Sequence, residues 1–91
     1  MEGIKYGKYI SQDLSKMLLK YVTRQDLTEV HKQTGVSASN LNQIRTMNNI
    51  VTERSGKAIN ILLQIAYKNA ELEEKEARKG KRQIKQILDC I

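Results

Sequence analysis

The chain lacks the residues on which several classes of protein depend. It has 91 residues with no Pro, Trp or Phe, one Cys and one His. The single cysteine, Cys90, cannot form an internal disulfide, which excludes a disulfide-stapled secreted domain. One His and one Cys, with no Gly-rich phosphate loop, provide neither a metal site nor a nucleophile–base pair. We therefore expect no enzyme, no metal and no cofactor.

Long apolar runs are also missing. No segment approaches the ~18 consecutive apolar residues of a membrane-spanning helix, so we expect no membrane partner. The apolar residues are mainly Ile, Leu, Val and Ala, with four Tyr and three Met, which is typical of a helical core. A chain of this length has room for one core. No ligand-binding domain is apparent, and we expect no small-molecule ligand.

The charge is basic and unevenly spread. Lys and Arg number 16 against 10 Asp and Glu, giving a formal net charge of +6. This balance favours a polyanionic partner without identifying one. Basic residues dominate 31–68 and 78–85, whereas 71–79 is a Glu-rich segment whose i, i+4 charge pairs are typical of a solvated helix. The alternative interpretation is a basic surface with no role in nucleic-acid binding.

Apolar spacing and capping residues predict a first helix after a lead-in over residues 1–10, which we assign as loop. Ser11 is a good N-cap. The residues that follow repeat at the spacing of one helix face, and they are Leu14, Met17, Leu18, Tyr21 and Val22.

A second and a third helix follow closely. Thr23 and Asp26 can form a capping box for a helix that begins at Arg24 and ends at Gly35, which can adopt the left-handed conformation. We expect this helix to bury Leu27, Val30 and His31. The third helix opens at Ser37, and its predicted buried residues are Ala38, Leu41 and Ile44.

The remaining chain predicts a connection over 46–52, with Ile50 or Val51 on the core, and then a long helix capped by Thr52 or Ser55. The apolar arc over 57–70 is too wide for a surface helix, so this part is central or shared between subunits. After Gly80 comes a second amphipathic stretch, which we expect to form a C-terminal helix. The predicted fold is all-α: a four- or five-helix domain over 11–70 with a helical extension over 71–91.

Residues 24–46 resemble a helix-turn-helix unit. The resemblance rests on Gly35 in the turn, Val36 directly after it, Val30 in the preceding helix, and Leu41 and Ile44 on the buried side of the next. Over residues 11–70 the chain is similar to the Cro and lambda-repressor type of domain. One position departs from the pattern: His31 stands where the family prefers a small residue, which predicts a wider crossing or an imidazole at the edge.

The resemblance implies a small bacterial or phage transcriptional regulator in the bacterial cytoplasm or a phage-infected cell. It would bind double-stranded DNA as a homodimer, with half-sites about one helical turn apart and the third helix in the major groove. At 100° per residue the polar side of that helix points away from the core, and amides and hydroxyls there can bond to base edges. The candidate base-reading residues are Ser37, Ala38, Ser39, Asn40, Asn42, Gln43 and Thr46.

The candidate phosphate-binding residues are Arg24, Lys32, Arg45, Arg54 and Lys57. Neutralising about five phosphates would give a log–log salt slope on the order of −4 to −5 per protomer.

Three alternatives stay open on the sequence. The same fold could serve a phage DNA-packaging or architectural factor, or a protein-interaction adaptor that does not bind DNA. The polar face of the third helix could be an ordinary solvated surface. The apolar stripe at the C-terminus could dimerise or fold back on its own domain, and its residues are Ile84, Ile87, Leu88 and Ile91.

Overall fold

A computed structural model describes residues 4–90. Within that range the chain forms four helices, and the all-α prediction is confirmed. They are α1 (Gln12–Tyr21), α2 (Arg24–Thr34), α3 (Ala38–Arg45) and α4 (Glu53–Asp89). Because α4 has 37 residues, the molecule is elongated, with extents of 57 × 27 × 17 Å.

Each helix begins at a side chain that accepts a hydrogen bond from the first turn. The caps are Ser11, Thr23, Ser37 and Thr52. Asp26 completes a capping box with Thr23, as predicted, and Ser55 completes a second box with Thr52. Because each cap satisfies a backbone N–H that has no partner within the helix, these short polar residues fix where the helices start.

The core lies between α1, α2, α3 and the first half of α4. Val51, in the connection before α4, is fully buried, whereas Ile50 is only half-buried. Burying a side chain of this size contributes about 1.5–3 kcal/mol. The largest fully buried apolar side chains are Leu18, Val30, Leu41, Ile44, Val51, Ile59 and Leu62.

The lead-in is attached to the connection between α3 and α4. Gly7 N donates to Val51 O at 2.6 Å and Val51 N donates to Lys8 O at 2.9 Å, an isolated antiparallel bridge. Tyr6 lies over the first turn of α4, where a Cβ on Gly56 would overlap its ring. The part of the lead-in that is described therefore packs on the domain.

The predicted separation of α4 from a further helix after Gly80 is wrong. The helix runs unbroken from Glu53 to Asp89. A glycine inside a helix costs about 1 kcal/mol relative to alanine, and this one lies among Lys and Arg, which favour helix. With no proline or left-handed residue beside it, that cost is too small to end the helix.

The second half of α4, which we call the tail (residues 71–89), extends away from the core. Asn69 Nδ2 donates to Tyr21 O at 2.7 Å, and beyond this bond the tail is almost entirely exposed. Ile84, Ile87 and Leu88 are 60%, 64% and 64% exposed, so among residues 4–90 the stripe does not fold back on the domain. Ile91 lies outside the described residues.

No helix within residues 4–90 combines the length and the apolar character needed to cross a membrane.

We expect Gly35→Ala to lower the free energy of unfolding by about 1–2 kcal/mol, because Gly35 has φ 77° and a Cβ is disfavoured in this left-handed conformation. Gly35→Asn should cost less, since asparagine tolerates the same region. Urea denaturation of both variants checks this. Equal stability of wild type and Gly35→Ala would contradict the turn conformation.

Candidate nucleic-acid interface

The turn between α2 and α3 is held by local hydrogen bonds. Gly35 ends α2 in the left-handed conformation, and its N–H donates to His31 O at 2.8 Å. Thr34 Oγ1 donates to Val30 O at 2.7 Å and accepts from Val36 N at 3.2 Å. Val36 is buried, as expected for an apolar residue that fills the angle between the two helices.

His31 is exposed, so the prediction that α2 buries it is wrong. Its Nδ1 lies 3.0 Å from Val36 O. Since a carbonyl oxygen can only accept, Nδ1 carries the proton in this bond. The ring therefore lies at the edge of the crossing and links α2 to the turn, which explains how a large residue occupies this position without entering the core.

The exposed side of α3 carries two unpaired polar side chains. Leu41 and Ile44 are fully buried and Ala38 is half-buried, which turns Ser39 and Gln43 outward as predicted. These two residues are four apart and share one face of the helix, and both are exposed. The face contains no charged side chain.

The other predicted base-reading residues are partly engaged inside the domain. Ser37 Oγ caps α3 by accepting from Asn40 N at 3.1 Å. Asn40 Oδ1 accepts from Asn49 Nδ2 at 2.8 Å. Asn42 Oδ1 accepts from Arg45 Nη2 at 2.7 Å, and Asn42 O accepts from Thr46 Oγ1 at 2.9 Å.

The side-chain oxygens of Asn40 and Asn42, two of the candidate base-reading residues, are therefore not free. Both residues are half-buried, and their internal bonds fix the orientation of each amide beside Ser39 and Gln43.

Arg45 corrects the list of phosphate contacts. Only 7% of this residue is exposed. Its Nη1 donates to Val22 O at 2.7 Å, and Ser15 Oγ donates to Arg45 O at 2.6 Å. Burial, and then the charge of Arg24, lower the pKa of Arg45. The guanidinium is thus directed inward, where it joins the end of α3 to the end of α1, and it is not available to a phosphate.

The remaining predicted cations are exposed, and two of them, Arg54 and Arg24, lie near the ends of α3. Arg54 lines a cleft of about 360 Å³ together with Gly35, Ser37 and Asn40, at the start of α3. Arg54 and Lys57 also line an adjoining cleft beside Gln33 and Thr34.

Arg24 lies near the other end of α3, close enough to Arg45 for their charges to interact. Lys32 lies farther along α2, 3.7 Å from Glu29. Exposed pairs of this kind contribute about 0–1 kcal/mol, so the pairing leaves Lys32 available to an anion.

No family model, curated protein or solved structure matches this chain. Within residues 4–90, no group of three or more His, Cys, Asp and Glu side chains could hold a metal ion. The surface around α3 is therefore the basis for assigning a function.

We expect Arg45→Met to lower the free energy of unfolding by about 2–3 kcal/mol, because hydrogen bonds from a charged group are lost and Val22 O loses a buried donor. Arg24→Met is the matched control. It removes the same charge from an exposed position nearby and should cost less than about 0.5 kcal/mol. Urea denaturation measures both. Equal losses would contradict the structural role of Arg45.

Proposed function

We propose that this protein binds double-stranded DNA sequence-specifically through α3, as a small transcriptional regulator of the Cro or lambda-repressor type. The observation that carries the proposal is the uncharged, exposed face of Ser39 and Gln43, with Arg24 near one end of the helix and Arg54 near the other; Lys57 lines a cleft next to Arg54. Such a surface supports base reading in the middle and phosphate binding at the edges.

The side chains on α3 suit the edges of base pairs in the major groove. Gln43 can bond in a bidentate manner to N6 and N7 of adenine, Ser39 can donate or accept, and the Ala38 methyl can contact a thymine methyl. The internal bonds of Asn40 and Asn42 hold their amides beside this pair. A partly fixed set of polar groups reduces the side-chain entropy that is lost on binding.

The absence of charge on this face distinguishes it from the solvated surfaces of the same molecule. The tail is exposed and is densely charged, with Glu74 paired to Arg78 at 2.6 Å. A face that only contacts water has no need to exclude Lys and Glu. Uncharged amides and hydroxyls favour hydrogen bonding to bases over general attraction to phosphate.

Phosphate binding is assigned to the exposed cations and to helix N-termini. Arg24 opens α2, and Arg54 and Lys57 lie in the first turns of α4, so the partial positive charge of the backbone N–H groups adds to that of the side chains. Lys32 is the fourth cation. These contacts would position α3 on the duplex without reading sequence.

Specific regulation requires more than one such unit, because one reading helix contacts only a few base pairs. The exposed stripe of the tail is where we assign the contact between two copies, and a homodimer would match a palindromic site.

Selection of bound sequences from a random duplex pool, followed by footprinting, tests the proposal. A short palindromic site with local protection is expected. Extended protection without sequence preference would favour a packaging or architectural role instead. Absence of salt-sensitive binding to any duplex would leave the adaptor role.

We expect Gln43→Ala to lower affinity for the selected site about tenfold, since a bidentate contact discriminates by about 1–3 kcal/mol, with little change in non-specific binding. Lys57→Ala should weaken both, because it removes a phosphate contact. Fluorescence anisotropy with selected and scrambled duplexes measures this. If both variants lose affinity equally on both duplexes, α3 is not the reading helix.

The salt dependence of binding should reflect four cations and not five, because Arg45 is buried. A log–log slope of about −3 to −4 per protomer is expected for Arg24, Lys32, Arg54 and Lys57, and Lys57→Ala should reduce its size by about 0.9. Titration over a range of salt concentrations measures the slope. An unchanged slope in Lys57→Ala would remove Lys57 from the interface.

A further inference from the structure

The buried face of α4 continues into the tail, where no described residue covers it. In the domain this face contains Ile59, Leu62 and Ala66, which are buried. At the same helical spacing it continues through Ala77 to Ile84 and Ile87. Large exposed apolar residues that share one helix face mark a contact surface for a partner.

The tail has the seven-residue repeat of a helix that pairs with another helix. One core position of the repeat contains Ala70, Ala77 and Ile84. The other contains Glu73, Gly80 and Ile87. The stripe therefore has small side chains at Ala77 and Gly80 in its middle and large side chains at Ile84 and Ile87 at its end. Two such helices fill space best in antiparallel orientation, with Ala70 opposite Ile87 and Ala77 opposite Gly80 of a second copy.

The charges of the tail favour the same orientation. Its first part is mainly acidic, with Glu71, Glu73, Glu74 and Glu76 against Lys75 alone, and the following part is basic, with Arg78, Lys79, Lys81, Arg82 and Lys85. Parallel pairing would place the acidic block of one copy beside the acidic block of the other, and the basic block beside the basic block. It would also place Glu73 opposite Glu73 of the second copy. Antiparallel pairing places the acidic block of one copy along the basic block of the other.

The residues that flank the core positions of the repeat also form favourable pairs in this register. When Ala77 faces Gly80 of the second copy, Glu74 lies beside Lys81, and Tyr67 lies beside Leu88. Tyr67 and Leu88 are exposed large hydrophobic residues, so the register buries two apolar groups that the single chain leaves in water.

A shallow cleft marks where the end of the second tail would lie. It has a volume of about 380 Å³ and is lined by Tyr21, Ala70, Glu73, Glu74 and Ala77. It combines an aromatic ring and two methyl groups with two carboxylates. The far end of the tail offers the complement, because Ile84, Ile87 and Leu88 follow directly after the basic block.

We propose that two copies of this chain pair through antiparallel tails over residues 67–88, and that each domain receives the end of the other tail in the cleft beside Tyr21. The two-fold axis passes between residues 78 and 79. At 1.5 Å per residue the paired helices are about 32 Å long.

One consequence of this pairing rests on the proposed function. The two α4 helices would begin about 75 Å apart, so the two reading helices would lie at opposite ends of the dimer. Their separation matches half-sites about two turns apart (about 68 Å) and not the single turn of about 34 Å expected from the family resemblance.

The orientation can be measured on the full chain without DNA. Cys90 is the single cysteine and is exposed, so it accepts one nitroxide label per copy. Double electron–electron resonance should give about 35 Å between the two labelled positions of an antiparallel dimer, and light scattering should give the dimer mass. A distance below about 20 Å would indicate parallel tails and overturn the proposal, as would a monomer mass. Because DNA is absent, this result is independent of whether the proposed function holds.

Charge reversal tests the register. Glu74→Lys should weaken the dimer on the order of tenfold by facing Lys81, and Glu74→Lys combined with Lys81→Glu should restore it. Glu71→Lys is the matched control: it makes the same charge change and also loses an i, i+4 partner, but it lies off the paired face. Sedimentation equilibrium gives the dimer constants. Equal weakening by Glu71→Lys and Glu74→Lys, with no restoration in the double variant, would contradict the register.

Discussion

The buried guanidinium of Arg45 is the interaction on which the presentation of α3 depends. It donates to Val22 O, where α1 ends, and to Asn42, which lies on α3 itself, while Ser15 bonds to the carbonyl of the same residue. Two helices, α1 and α3, are thus joined at one residue. Leu41 and Ile44 supply the apolar burial of α3, but burial has no direction, whereas hydrogen bonds specify the angle at which Ser39 and Gln43 face outward.

A single helix, α4, provides both the centre of the domain and the surface for assembly. Its first half is covered by the three shorter helices, and the bond from Asn69 to Tyr21 marks the end of that cover. The same face then continues uncovered. A continuous helix transmits this geometry rigidly, so the position of the domain relative to the tail is set by the helix and not by a flexible linker. In the proposed dimer, the length of α4 therefore sets the distance between the two reading surfaces.

Local signals in the sequence predicted the caps, the Gly35 turn and the burial of Leu41 and Ile44, because each depends on neighbours within a few positions. Arg45 was misassigned because its bond partner Val22 is 23 residues away, and a cation that ends a helix normally faces solvent. The bond between Asn40 and Asn49 could not be predicted either, because it joins α3 to the loop that follows it. The helix continues through Gly80, since one glycine without a second stop signal does not end a helix. The orientation of the His31 ring is set by its bond to Val36 O. The spacing of apolar residues along a helix does not predict a bond to a backbone carbonyl in the turn.

The most direct measurement of the central claim is an NMR titration of the labelled protein with a duplex obtained by selection. If α3 reads the major groove, the largest shifts will be those of the backbone amides of residues 37–43 and the side-chain amide of Gln43, with smaller shifts at Arg24, Arg54 and Lys57. Shifts confined to the tail, or shifts at the cations with none on α3, would contradict the account.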